Sequence, residues 1–535
     1  MTALQAHERC SALSLVGPPR LDPLEISTWT PDTVAPVGVR GSWAAGLVLA
    51  VLSVSTAIVL AALLYRSSLR YPLNYNEGWN AFWAHRAAVG QSIYPSPGAM
   101  VFNNYPPLSF LLVGALSWLG LDVWIVGRIV AWLSFAGCAV LIRGVLRAWG
   151  RTGAAATLSA VLFCALMATD YNDYLGMYDP QLAAQFGMLI GFYLLVRAGL
   201  LVPAGLLSGS GPLVRPGPGV RPGAPSRLSV VFAACIIVVS LFVKHNVIAL
   251  PAAITVWLAL YRRDLLVTWL VTVAAGLAIG FLLCLAAFGA DFLAGLATPR
   301  AWSAHNAVVK LTQWLPPVVL PALVALGLLF RPARDPTGMF LGLFAALGLA
   351  TACLGTAGDG VVYNALFELV IAASLAVGYR GGGARSDAPD SWIALATAAI
   401  VAWSVALTAV AMIAYRSDWI AGRDRLVAIA QRSVAIIAAQ PGPALCEDLL
   451  LCYWAGKPSE VDAFNYAQSV GAGRRDERAL VVRIERGSFG AIELDPKENR
   501  LPPRVIAAIS RYYKPVGDLP GLFVEMPRWK RDSRH

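Results

Sequence analysis

Long apolar runs, broken by short polar or charged stretches, dominate residues 43–414. The first, Trp43–Tyr65, has 23 residues and no charge. At about 1.5 Å rise per residue such a helix crosses a ~30 Å hydrocarbon core. Ten more runs follow, near 126–146, 153–169, 181–201, 228–243, 247–260, 265–288, 312–330, 339–355, 365–379 and 392–414. The pattern predicts an α-helical integral membrane protein with about 11 transmembrane helices. Pro107–Leu121 is apolar but has only 15 residues, so it is expected as an interfacial or re-entrant helix in an external loop. Residues 416–535 change character and read as a small soluble α/β domain, with strands at Ala479–Ile484 and Ser488–Leu494 and a helix at Arg504–Tyr513.

The polar, Pro- and Gly-rich residues 1–42 read as a disordered cytoplasmic tail, and 202–227 as a low-complexity cytoplasmic linker. The tail and the length of the run after it argue against a cleaved signal peptide. The expected organisation is a tail at 1–42, a membrane domain at 43–415 and an extracytoplasmic domain at 416–535. Within the membrane domain the external loops are 66–123 and 170–180.

Composition narrows the class. Hydrophobic residues make up 57% of the 535 positions and charged residues 14%, against roughly 25% charged in soluble domains. Mean hydropathy is +0.62. These values exclude a soluble, collagenous, disordered or disulfide-stapled secreted chain. The net charge of +11 reflects basic loops near lipid headgroups rather than a nucleic-acid partner, because no basic stretch carries interleaved aromatics. Arginines concentrate in alternate loops: Arg143, Arg147 and Arg151, then Arg197, Arg215, Arg221 and Arg227, then Arg262, Arg263, Arg331, Arg334, Arg380 and Arg385. Those loops should face the cytoplasm, which places the C-terminal domain outside, in a bacterial inner membrane. There Cys446 and Cys452 are either a disulfide or two free thiols.

Acidic side chains at a membrane face are costly and point to function. The external loops hold Glu77, His85 and Arg86; Asp170, Asp173 and Asp179; Lys244 and His245; Asp291, Arg300 and His305; and Asp359. Glu368 stands just inside the tenth span. A carboxylate suits a general base, and Lys and Arg suit a phosphate. Together they fit a hydroxyl acceptor attacking a sugar linked to a lipid phosphate. Competing structural roles exist. Asp179 before Pro180 fits a helix N-cap, Lys244 fits a snorkelling side chain, and Arg128 reads as structural. Tyr105-Pro106-Pro107 reads as an extended lead into a helix. The histidines, with Asp173, offer possible metal ligands, but no spacing demands a metal, and no cofactor is expected.

The stretch Asn74–Phe110 resembles the first lumenal loop of GT-C glycosyltransferases, the polytopic class that includes bacterial aminoarabinose transferases and protein O-mannosyltransferases. The shared marks are an acidic residue after the first span, Gly90–Tyr94 as Gly-x-x-x-Tyr, and Tyr-Pro-Pro-Leu at Tyr105–Leu108. Tyr171–Phe186 looks like the acidic second loop, Lys244-His245-Asn246 stands at a helix end, and a Gly-rich loop precedes Tyr363-Asn364 and Glu368. Tyr453–Pro458 and the later SFGAIELD resemble the tail domain of bacterial members. Two positions depart from the pattern. Asn76-Glu77 stands where many members have Asp-Glu, and Asn104-Tyr105 where the aminoarabinose branch has Lys.

The resemblance implies a membrane glycosyltransferase of the cell envelope that uses a polyprenyl-phosphate sugar and a lipid, glycan or protein acceptor. It implies catalytic roles for Glu77, Asp173 and Asp179. It implies donor-phosphate contacts from Lys244, His245, Arg300, His305 and Arg86. Sugar or acceptor contacts fall to Asn76, Tyr105, Tyr363 and Asn364. The alternatives are a flippase for a polyprenyl-linked glycan, and an envelope assembly subunit without activity.

Overall fold

The computed structural model describes residues 39–201, 226–330, 335–381, 388–495, 500–519 and 521–525. The chain divides into Met1–Ala44, of which only a helix start is described, and Ala45–His535, which carries everything below. The 1–42 tail and the 202–227 linker therefore fall almost wholly outside the described residues.

The helices run α1 (Val39–Ser68), α2 (Tyr75–Ala88), α3 (Leu108–Ser117), α4 (Val123–Ala148), α5 (Gly153–Thr169), α6 (Gln181–Arg197) and α7 (Arg227–Val243). Next come α8 (Ala249–Tyr261), α9 (Arg263–Leu296), α10 (Ala304–Trp314), α11 (Pro316–Leu326), α12 (Pro336–Ala357), α13 (Phe367–Gly381) and α14 (Ala388–Ala414). Every expected span contains a helix. Among the described residues five helices are long and apolar enough to cross a membrane alone, and α10 with the α11 segment, bent by 90°, forms a sixth candidate. The others are shorter, and packing explains how they sit in the bundle. In α13 every residue from Phe367 to Tyr379 is buried. By contrast α9 buries only Leu265, Trp269, Cys284 and Phe292. Its outward Val267, Val271, Leu282 and Leu283 are exposed, an apolar surface that suits lipid.

The short α3 is too brief to cross and packs on α2, as its length predicts. Gly114 of α3 permits this contact, since a Cβ there would meet the Ala84 carbonyl oxygen at 2.9 Å.

The C-terminal part comprises α15 (Arg416–Ala439), β1 (Ala444–Cys446), α16 (Leu449–Trp454), α17 (Ala463–Gly471), α18 (Arg478–Glu485), β2 (Ala491–Glu493), α19 (Pro503–Tyr512), β3 (Tyr513–Pro515) and β4 (Leu522–Glu525). The sheet order is β1-β2-β4-β3, with β1 parallel to β2 and the other pairs antiparallel. Cys446 of β1 and Cys452 of α16 are joined as a disulfide. The expected strand at Ala479–Ile484 is instead α18. Its β-branched residues suggest a strand, but only Leu480 and Ile484 are buried. That i, i+4 spacing is helical, and α18 packs its apolar face on α19. The strand and helix expected beyond it are present as β2 and α19.

Helix α16 docks on α2. The approach is close: a Cβ on Gly78 would lie 2.4 Å from the Leu450 amide nitrogen. The C-terminal domain is thus built onto the first loop.

Candidate active site

Two cavities lie where the first loop, the loops after α7, α9 and α12, and the C-terminal domain meet. The first, of about 310 Å³, is lined by Asn76, Asn104, Tyr105, Tyr174, Gln181, Lys244, His245, Asn246, Arg300, Trp302, Asn364 and Glu368, among others. The second, of about 450 Å³, shares Asn76, Asn104, Tyr105 and Arg300 with it. It adds Asn74, Tyr75, Trp79, Lys310, Trp314 and Asp359, and Phe464, Asn465, Gln468 and Arg500 from the C-terminal domain.

The cation at the back of the first cavity is Lys244, only 2% exposed. Where α7 ends, its Nζ lies 3.5 Å from both oxygens of Asp179 and 3.5 Å from the centre of the Tyr105 ring. Asp179 Oδ1 also accepts from the Gln181 amide, the first of α6, at 2.8 Å, so a hydrogen bond to the helix start and an ion pair coexist, although the N-cap position itself is Pro180. His245 is exposed to the cavity. Desolvation by the surrounding protein, and then the positive charges of Lys244 and Arg300, push its imidazole down to about 4, a shift that favours the neutral form. Arg300 Nη1 donates to the Asp359 carbonyl at 3.0 Å. Asn364 donates to Gln181 Oε1 at 3.3 Å. Both oxygens of Glu368 are occupied by the first amides of α8, Ala249 at 3.0 Å and Leu250 at 2.9 Å.

Glu77 does not line either cavity. It is fully buried, with its oxygens 2.7 Å from Arg128 Nε and 2.7 Å from Arg128 Nη2. The Leu73 amide donates to it at 3.1 Å and the Tyr178 amide at 3.4 Å. Arg128 spends its remaining donors on the carbonyls of Ser67, Leu69 and Tyr71.

Of the residues singled out in the sequence, Asn76, Tyr105, Lys244, His245, Arg300 and Asn364 meet in the first cavity. Glu368 also lines the first cavity and Asp359 the second, and Asp179 stands directly behind Lys244. Asp173, Tyr363, Arg86 and His305 stand apart from both. Asp173 has a side chain 51% exposed, 3.9 Å from Arg66. Tyr363 packs on Tyr171, Tyr174 and Trp314. Arg86 Nε donates to the Ser92 carbonyl at 2.8 Å. His305 is exposed on the first turn of α10.

The residues missed come mainly from the C-terminal domain. Gln468 Nε2 donates to Asp359 Oδ2 at 2.6 Å, and its Oε1 accepts from the Ala301 amide at 2.8 Å. Asp462, buried behind the second cavity, accepts from Trp79 Nε1 at 3.0 Å and Tyr75 Oη at 3.3 Å. Its burial raises its carboxyl above the ordinary range, against the hydrogen bonds that oppose the shift. Tyr75 and Asp462 are 387 positions apart, and no local sequence signal joins them. Among the described residues no group of three or more His, Cys, Asp or Glu side chains could hold a metal ion.

Comparison with solved structures places this architecture. ArnT from Cupriavidus metallidurans bound to undecaprenyl phosphate superposes with a TM-score of 0.53 at 15% identity, over 91% of this chain and 98% of that one. ArnT in the apo state gives a TM-score of 0.55 at 14% identity, over 88% of this chain and 97% of that one. The chain thus shares the ArnT membrane fold. No family profile and no curated protein matches the sequence. The likeness is therefore one of fold, and it extends over nearly the whole ArnT chain.

Proposed function

We propose that this chain is a membrane glycosyltransferase that moves a monosaccharide from a polyprenyl phosphate to an acceptor hydroxyl outside a bacterial inner membrane. The observation that carries this reading is the first cavity, where Lys244 and Arg300 stand among the side-chain amides of Asn76, Asn104, Asn246 and Asn364, on the fold of a protein solved with undecaprenyl phosphate. An apolar groove of about 480 Å³ along α6 and α7 supports it. The groove includes Phe232, Ile236, Val239 and Val243, and Val243 directly precedes Lys244. A hydrocarbon chain along α7 would present its phosphate to the cations at the helix end.

In this scheme the donor phosphate binds near Lys244 and Arg300, with neutral His245 as a hydrogen-bond partner. The acceptor enters by the second cavity. Asp359, held by Gln468 and by the Gly360 amide at 3.0 Å, is our choice of general base. Glu77 is assigned to the framework, since its charge is matched by Arg128. Asn76, shared by both cavities, positions substrate. Asp359 takes the acceptor proton as the acceptor oxygen bonds to the anomeric carbon. The bond from that carbon to the phosphate oxygen breaks, its electron pair leaving with polyprenyl phosphate, and the configuration inverts. Arg300 and Lys244 stabilise the charge on the leaving phosphate.

The test has two parts. In nanodiscs the full chain should bind undecaprenyl phosphate at least about tenfold more tightly than undecaprenol, and Arg300→Gln should remove that preference. Mass spectrometry of envelope glycans should show one sugar lost when the chain is absent or carries Asp359→Asn. Equal binding of the two lipids rejects the donor assignment. A full glycan profile with Asp359→Asn moves the base elsewhere.

A further inference from the structure

The second cavity has a chemistry of its own. Aromatic rings, among them Tyr75, Trp314 and Phe464, line it together with amides that include Asn74, Asn465 and Gln468. Aromatic faces with amides at their edges suit the apolar faces and hydroxyls of a sugar ring. Asn465 is only 4% exposed and lines this cavity. Its Nδ2 donates to Asp462 at 2.7 Å, and its Oδ1 is buried with no hydrogen-bond partner. A buried acceptor in that state costs free energy unless a ligand donates to it.

The charge balance is also uneven. Asp359 is the one carboxylate among the lining residues, and Arg300, Lys310 and Arg500 are cations. Arg500 is already paired with Glu447 at 2.8 Å. Lys310 Nζ donates to the Gly358 carbonyl at 2.9 Å and Arg300 to that of Asp359. Among the described residues neither has a carboxylate within ion-pair distance. Dipoles contact both cations, and the Asp359 carboxylate acts on Lys310 from beyond ion-pair distance, which leaves Lys310 able to contact an anion directly.

Gly360 keeps the wall thin. It has φ +68°, and a Cβ there would lie 2.3 Å from the Phe464 ring and 2.9 Å from Arg300. The C-terminal helix thus closes directly onto the loop that carries Asp359.

We propose that the second cavity is the acceptor pocket, that its occupant is a sugar bearing an acidic group, and that α17 of the C-terminal domain sets this specificity. The inference rests on the donor occupying the first cavity. Asn465 receives a sugar hydroxyl, Phe464 and Trp314 flank the ring, and Lys310 holds the anion. Lys310 is a specificity residue, since the scheme gives it no part in breaking or forming bonds.

The full chain in nanodiscs would be titrated with cellobiose, cellobiouronic acid, cellobiose phosphate and a short acidic peptide. The acidic sugars should bind at least about tenfold more tightly than cellobiose, and the two acids show which anion is preferred. Lys310→Gln should shrink the preference below about threefold while leaving cellobiose binding within about twofold. Lys310→Arg should keep the preference, which separates charge from folding damage. Asn465→Leu should weaken all sugars together. Equal binding of acidic and neutral sugars, tighter binding of the peptide, a preference that survives Lys310→Gln, or no sugar binding up to about 50 mM would each overturn the proposal. Undecaprenyl phosphate binding on the same sample separates the two readings: if it persists while the acid preference is absent, only the acceptor assignment fails.

Discussion

Two buried ion pairs flank the site and are built differently. Glu77 and Arg128 meet through two contacts of 2.7 Å, and every remaining donor of the guanidinium is spent on backbone carbonyls. Lys244 and Asp179 stand 3.5 Å apart, and the lysine also lines a cavity. The first pair is saturated and ties the chain after α1 to α2 and α4. The second is loose and leaves a cation where a ligand can compete for it. An acidic residue in a sequence is thus a poor guide to catalysis until its partner is known: the better the pairing, the less chemistry remains.

The strongest test of this contrast is removal of Arg128. Arg128→Met should destabilise by about 3–5 kcal/mol, because Glu77 is left charged and buried, and denaturation followed by tryptophan fluorescence reads it. Adding Glu77→Gln should not restore stability, since the carbonyls of Ser67, Leu69 and Tyr71 still lack donors. Full recovery in the double variant would contradict a framework role.

The second test concerns Asp448, which packs against Gly78 beside Glu77. Burial raises its carboxyl to about 8, helped by the Glu77 charge and opposed by the Leu450 amide. In the unfolded chain an aspartate titrates near ~3.9. Between those values the unfolded state releases a proton that the folded state keeps, so stability falls as pH rises toward 8, by up to about 1.4 kcal/mol per pH unit. Asp448→Asn retains the cap on α16 and removes the proton. Its advantage over the parent should therefore grow from pH 5 to pH 8 in thermal melts. A constant difference would mean that Asp448 stays ionised throughout.

The loose pair should respond otherwise. Lys244→Met with Asp179→Asn should fold within about 1 kcal/mol of the parent yet bind undecaprenyl phosphate about tenfold more weakly. Unchanged lipid binding would remove Lys244 from the donor site. The smallest effect is expected at Asp173, half exposed beside Arg66. Asp173→Asn should cost under about 1 kcal/mol and leave sugar transfer intact, and loss of transfer would return the base to the second loop.

The membrane helices were legible because uncharged runs have one stable solution in lipid. The short α3 was legible from length alone. The cations Lys244 and Arg300 were found because loop charges in a membrane chain are few. Other features were not legible, for physical reasons. Glu77 reads as reactive because Arg128, 51 positions away, neutralises it only in three dimensions. Helix α18 reads as a strand because β-branched residues mask a helical burial pattern. Phe464, Asn465 and Gln468 carry no local mark, and only the docking of α17 brings them to the site.

Asp462 reaches across from the tail domain to hold Trp79 and Tyr75, and this bears on how such a protein can change over generations. A tail joined only by a tether could be exchanged by recombination. This one shares a side-chain network with the opening loop, so a transplanted tail would arrive without the acceptor that the tryptophan and tyrosine require. The two ends of the gene are therefore expected to drift in concert.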